Sequence, residues 1–185
     1  MATEYLDIVD ENNVPIGEKR LRTEVHAQGL WHRVVHIYLF RVTSGGIEIL
    51  THLRSKDKDL HPNKWDTRFG GHVKAGETLA QAVDAELDEE IGLRVMPDKL
   101  IVGEIYKYDG GTNREFNPVY YYQFTEDTKS LTFNDGEIQK VQWMAKDKIE
   151  NALRTEQEKW AGSVTGFKKV MDALAAKLGR VKSYD

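Results

Sequence analysis

The residues most able to do chemistry lie in one stretch, Gly71 to Leu93, which reads GHVKAGETLAQAVDAELDEEIGL. Three acidic residues, Glu86, Glu89 and Glu90, stand near its end, and Glu77 stands nearer its start. At about 100° of helical turn per residue, the three project within an arc of roughly 100°. Carboxylates crowded on one side of a helix raise one another's pKa, and a divalent cation removes the repulsion. All-oxygen ligands suit Mg²⁺ or Mn²⁺, and magnesium sites usually keep positions for water and substrate phosphates. The plain alternative is a solvated acidic helix face, the commonest explanation of a charge run.

The full spacing decides between them. Gly71, Glu77, Glu86, Leu87, Glu89, Glu90, Gly92 and Leu93 stand at fixed offsets. If each of the six Gly and Glu positions matched by chance at about 7 %, coincidence would be on the order of 10⁻⁷ per starting position. The pattern resembles the Nudix box, here residues 71–93. That resemblance implies a metal-dependent hydrolase in which water attacks a phosphorus of a diphosphate linkage. It implies Glu86, Glu89, Glu90 and Gly71 as the metal-binding set, with Mg²⁺ or Mn²⁺ as cofactor. Glu89 or Glu90 would double as the base that orients water, Glu77 would support the site from the loop, and Glu137 would be the further carboxylate from outside the box. An ordinary turn carboxylate is the equal alternative for Glu137. One position departs: Ala85 stands where the family has an Arg that pairs with the earlier Glu. Arg68, Arg54 or Lys74 could substitute by position.

The loop before the box, RSKDKDLHPNKWDTRF, is rich in cations. Arg54, Lys58 and Arg68 are the candidates to receive a diphosphate, against a solvated loop balanced by Asp57, Asp59 and Asp66.

A wider resemblance covers most of the chain. LDIVDENNVPIG, VHAQGLWHRVVHIYLF, HPNKWDTRFGGHV and REFNPVYYY are similar to the Nudix branch of isopentenyl-diphosphate isomerases and isomerase-like hydrolases. By that resemblance His26, His32, His72 and Glu115 form a second metal site, while Asn113 replaces a further glutamate. The isomerase's catalytic Cys corresponds to Gly70, so half of the acid–base pair that isomerisation needs is absent. His36, His52 and His61 read as structural residues.

The 185 residues fit one domain, 1–185, with enough chain to bury a core without staples. Thirty acidic against 26 basic residues, a formal net charge of -4, argue against a nucleic-acid-coating surface. The absence of Cys excludes disulfides, thiolate metal sites and a cysteine nucleophile. The acidic start is unlike a signal peptide, and the longest apolar run is too short to span a bilayer. The expectation is a cytoplasmic protein acting on a small-molecule diphosphate, without membrane or nucleic-acid polymer.

Residues 1–20 read as a hairpin-like start that could serve a homodimer interface. Leu21 to Trp31 reads as a connecting segment. Trp31 to Phe40 reads as a central strand covered on both sides, followed by Ile47 to Leu53. Leu100 to Tyr108, Val119 to Phe124, Leu131 to Phe133 and Val141 to Trp143 read as further strands, and Lys146 to Trp160 and Thr165 to Leu178 as helices. With the resemblance, the fold expected is α/β, a Nudix-type α/β/α sandwich on a mixed β-sheet. The function expected is hydrolysis of a nucleoside diphosphate derivative or related small diphosphate. An isomerase-like enzyme and a catalytically weak binding module are the alternatives.

Overall fold

The computed structural model describes residues 4–58 and 60–181. β1 (Tyr5–Val9) and β2 (Pro15–Leu21) form an antiparallel pair around a turn with Asn13 at φ 65°. α1 (Arg22–Gln28) follows and ends at Gly29 in the left-handed region. Then come β3 (Trp31–Arg33), β4 (His36–Thr43), β5 (Gly46–Arg54) and β6 (Trp65–Asp66). After α2 (Leu79–Ile91) the chain forms β7 (Leu100–Asp109), β8 (Arg114–Gln123), β9 (Ile138–Ala145), α3 (Lys146–Thr155) and α4 (Val164–Val181).

Strands β3 to β9 make one mixed sheet in the order β3-β8-β4-β5-β6, with β7 beside β8 and β9 beside β5. Pairings of β8 with β3 and β4 are parallel and the rest antiparallel. Side chains alternate across β4, so its two faces feed two cores. Ile37 and Leu39 pack with Val83, Leu87 and Ile91 of α2. Tyr38 and Phe40 pack with Ile149 of α3 and with Phe167, Met171 and Leu174 of α4. The α/β/α sandwich follows from this two-sided burial.

Four expectations need correction. Trp31 to Phe40 is two strands, β3 and β4, in one register: His32 faces Glu115 and His36 faces Val119. The break falls opposite Pro118, which has no N–H to give the ladder. The segment Leu21 to Trp31 contains α1. Leu131 to Phe133 is not a strand, because Leu131 N–H bonds back to Thr128 and Thr132 N–H donates to the Ile91 carbonyl at the end of α2. The helix from Lys146 stops at Thr155 and continues only as a short 3₁₀ turn.

A reciprocal capping box starts α2: Thr78 Oγ1 accepts from Gln81 N–H, and Gln81 Oε1 accepts from Thr78 N–H at 2.9 Å. Its apolar stripe binds the helix to the sheet and carries Glu90 in beside it, on the same buried side as Val83 and Leu87, while Glu89 stays half-exposed. Leu87 is fully buried at the middle of this contact. Leu87→Ala should lower the unfolding free energy by about 2–5 kcal/mol, read by urea denaturation; a loss under about 1 kcal/mol would mean that α2 is not anchored through this stripe.

Candidate functional site

The box loop is held against β4 by backbone bonds. Ile37 and Phe69 exchange bonds of 2.8 and 2.9 Å, and Val35 N–H donates to the Gly71 carbonyl at 2.9 Å. Between these anchors Gly70 has φ 118°, and a Cβ there would collide with the Val35 carbonyl oxygen. Only glycine accepts both constraints. The consequence is that Gly70 N–H turns away from the ladder and donates to Glu90 Oε2 at 3.0 Å. At Gly71 a Cβ would stand 2.5 Å from Glu86 Oε2, so this glycine makes room for the second carboxylate. Two side-chain-free positions therefore let two helix carboxylates press against the loop.

The three helix glutamates do not share one environment. Glu90 is buried, and burial pushes its carboxyl up to about 8, against the pull of the Gly70 N–H. Burial, with nearby Glu89, pushes Glu86 up to about 7. Glu89 is half-exposed and pairs with Lys74 Nζ at 3.1 Å. A buried carboxyl forced upward in this way is a group that a divalent cation would ionise. The donor set is all oxygen, so these residues fit Mg²⁺ or Mn²⁺.

Among the loop cations, Lys58 is brought to the carboxylates and the arginines are not. Lys58 pairs with Glu137 Oε2, and its charge acts on Glu86, Glu90 and Asp135. Arg68 instead donates twice to Asp66, at 3.0 and 3.1 Å, and Arg54 donates to the Leu60 carbonyl while standing 3.9 Å from Asp66. Although Asp66 is buried, Arg68 holds its carboxyl well below the usual range. Glu77 accepts Lys74 N–H at 3.0 Å and closes the turn of the box loop without an arginine at position 85.

Asp135 is the residue that sequence reasoning missed. Burial raises its carboxyl, Lys58 and Glu89 lie close enough to act on it, and its Oδ1 accepts Glu137 N–H at 2.8 Å. In the Asn-Asp-Gly-Glu turn Glu137 was singled out by sequence and Asp135 passed over, although the acidic pair was the available signal.

A second cluster adjoins the first. His26 from α1, His32 from β3 and His72 from the box loop place their ligand nitrogens within 4.8 Å of one another, with His26 Nε2 and His72 Nε2 3.1 Å apart. His32 Nδ1 lies 3.0 Å from the Leu30 carbonyl, which can only accept, so Nδ1 carries the proton and Nε2 keeps its lone pair. That Nε2 is buried without a hydrogen-bond partner among the described residues, the arrangement of a metal-ligating histidine oriented by a carbonyl. Glu115 faces His32 across β3 and β8 and accepts Asn113 Nδ2 at 2.8 Å. Burial lowers the pKa of all three histidines, keeping them in the neutral form that ligates. His36 and His52 are held near 3 and 4 by burial, and the His52 ring packs tilted against Phe69 with centroids 4.7 Å apart.

Comparison with known proteins gives a consistent picture. A family model described as NUDIX domain matches residues 30–165. Nudix hydrolase 3 of Arabidopsis thaliana is 32 % identical over 164 residues, 84 % of this chain, which spans only 21 % of that protein's length. An uncharacterised Nudix hydrolase of Clostridium acetobutylicum is 33 % identical over 142 residues, 75 % of this chain and 68 % of that one. An isopentenyl-diphosphate Delta-isomerase of Aliivibrio fischeri is 28 % identical over 178 residues, 93 % of this chain and 97 % of that one. A crystal structure from Deinococcus radiodurans shares 26 % identity with a TM-score of 0.69, covering 90 % of this chain and 99 % of that one.

The raised carboxyls link stability to pH. Glu86 and Glu90 bind protons more tightly folded than unfolded, so their contribution is present below their ordinary 4.5 and is lost as pH rises through about 7 and about 8. The histidines, shifted the other way, add no slope above their ordinary 6.5. In a chelator, the melting temperature should therefore fall between about pH 7 and 8.5. Glu90→Gln should flatten the fall, and Mg²⁺ at the upper end should restore the wild type alone; equal slopes in both proteins would show that Glu90 is not held neutral.

Proposed function

The chain belongs to the Nudix family, whose hydrolases act on diphosphates, and from that premise we propose a Mg²⁺- or Mn²⁺-dependent hydrolase with Glu86, Glu89 and Glu90 as metal ligands. The observation that supports it most is the carboxyl pair, partly buried Glu86 and buried Glu90, pressed onto Gly71 and Gly70 and pushed up to about 7 and 8. A bound divalent cation would offset charge on phosphoryl oxygens and make a water more acidic.

The chain's own residues have separate tasks in this reading. Gly70 N–H fixes one oxygen of Glu90 and leaves the other for the cation. Lys58 receives the diphosphate. Glu89, the exposed member, orients a water and takes its proton as the water oxygen attacks phosphorus and the bond to the leaving phosphate breaks. Glu77 keeps the box loop closed. Arg54 and Arg68 hold the loop through Asp66 rather than meeting the substrate. Residues 1–185 act as one Nudix domain.

A second reading is favoured by the histidine cluster, which with Glu115 would hold a transition metal through neutral imidazoles. Alongside the similarity to the Aliivibrio fischeri isomerase, it favours isopentenyl-diphosphate isomerisation. Gly70 opposes that reading on two grounds: it carries no thiol, and its backbone has no space for any side chain.

The test is metal-dependent phosphate release across nucleoside di- and triphosphates, nucleotide sugars and prenyl diphosphates. Turnover of one class should fall about 10²–10⁴-fold in the Glu89→Gln, Glu90→Gln double variant with the circular dichroism unchanged. Retained turnover would overturn the assignment of these ligands. Isopentenyl diphosphate followed by proton NMR should yield no dimethylallyl diphosphate, and its formation would reverse the ranking of the two readings.

A further inference from the structure

Lys58 stands between two groups of carboxylates. Its ammonium is ion-paired with Glu137 in a partly shielded contact, while on its other side its charge reaches Glu86 and Glu90. The backbones around the pair are tied independently of it. Ser55 N–H donates to the Glu137 carbonyl at 2.7 Å, and Gln139 Nε2 joins the Arg54 carbonyl at 2.7 Å to Asn63 Oδ1 at 2.8 Å. The two side chains are thus the parts that can move while the loops stay in place. A lysine ammonium on a four-carbon stem with three rotatable donors suits such a movement.

We propose that the Lys58–Glu137 pair is a latch that diphosphate binding opens. The ammonium leaves Glu137 for a phosphate oxygen, and the Glu137 carboxylate becomes available to the water and metal side of the site. This rests on the diphosphate-hydrolase reading and goes beyond it by making the two groups exchange partners rather than act separately. The charges favour the exchange in a definite order. Glu86, Glu90, Asp135 and Glu137 all act on the Lys58 ammonium, and a divalent cation held at Glu86 and Glu90 would cancel the attraction that draws Lys58 toward them. Lys58 is then left to Glu137 alone. A diphosphate, which offers several anionic oxygens to one ammonium, competes well against one half-exposed carboxylate. Once Lys58 has moved, Glu137 stands uncompensated beside Asp135, which supplies a carboxylate at the moment the substrate is in place.

The experiment is calorimetric titration of the Mg²⁺-loaded protein with methylenediphosphonate, in the wild type, Glu137→Gln, Lys58→Met and the double variant, with kcat measured on whichever diphosphate is hydrolysed. Glu137→Gln should tighten Kd by roughly 2- to 5-fold, the scale of a partly exposed ion pair, while lowering kcat by about 10-fold or more. Lys58→Met should weaken binding, and in that background Glu137→Gln should no longer tighten it. Were Glu137 simply holding Lys58 in position, Glu137→Gln would weaken binding or leave it unchanged, and either result overturns the latch while the hydrolase reading stands. A wild type that neither binds the diphosphonate nor releases phosphate overturns both.

Discussion

One buried and one partly buried carboxylate against a glycine backbone are the constraint on which the site depends. Glu90 meets the Gly70 N–H at 3.0 Å, and Glu86 occupies the space that a side chain at Gly71 would fill. Burying an ionised carboxylate without a counter-charge is unfavourable enough that the group takes up a proton instead. On the proposed reading a cation completes the arrangement, and the protein carries the strain of it through glycine geometry and through the packing of α2. Leu87, Val83 and Ile91 hold the helix down while Glu86 and Glu90 are held in.

The box loop is clamped from both edges. On one side it pairs with β4 through Phe69 and Gly71; on the other, Ala75 N–H donates to the Tyr5 carbonyl at 2.8 Å and Gly76 N–H to Asp7 Oδ2 at 2.8 Å. The N-terminal hairpin thus serves the site by fixing the loop that carries Gly70, Gly71 and His72. Fixing that loop aligns both clusters together, since His72 follows directly on the glycine that touches Glu86. The hard oxygen set and the imidazole set consequently share one scaffold, and each prefers a different class of cation.

Of the aromatic residues that could stack a base or line an apolar pocket, Phe69 and Tyr120 are buried in the α2-side core, and Trp65 packs near Trp160 at 6.4 Å under the C-terminal helices. Fold likeness does not carry specificity from one family member to another.

What the sequence alone determined was the local chemistry: the spacing of Gly71, Glu77, Glu86, Glu89 and Glu90, the helix that carries the acidic residues, the mixed sheet and the two-sided burial of β4. The strands and helices follow from periodicity, the acidic spacing from a motif whose members are neighbours along one chain segment, and the mixed sheet was what the family resemblance implied. The tertiary structure decided which of those groups are equivalent. A helical arc treats Glu86, Glu89 and Glu90 alike, but only the position of the Gly70–Gly71 backbone buries Glu90, partly shields Glu86 and leaves the third with Lys74. Likewise Arg54, Lys58 and Arg68 were indistinguishable as loop cations, until Asp66 engaged the arginines and left Lys58 beside the carboxylates. His26, His32, His72 and Glu115 lie far apart along the chain, and Asp135 sits in a turn where only Glu137 stood out. Proximity of that kind arises from strand register and helix docking, which residue type and local spacing do not encode.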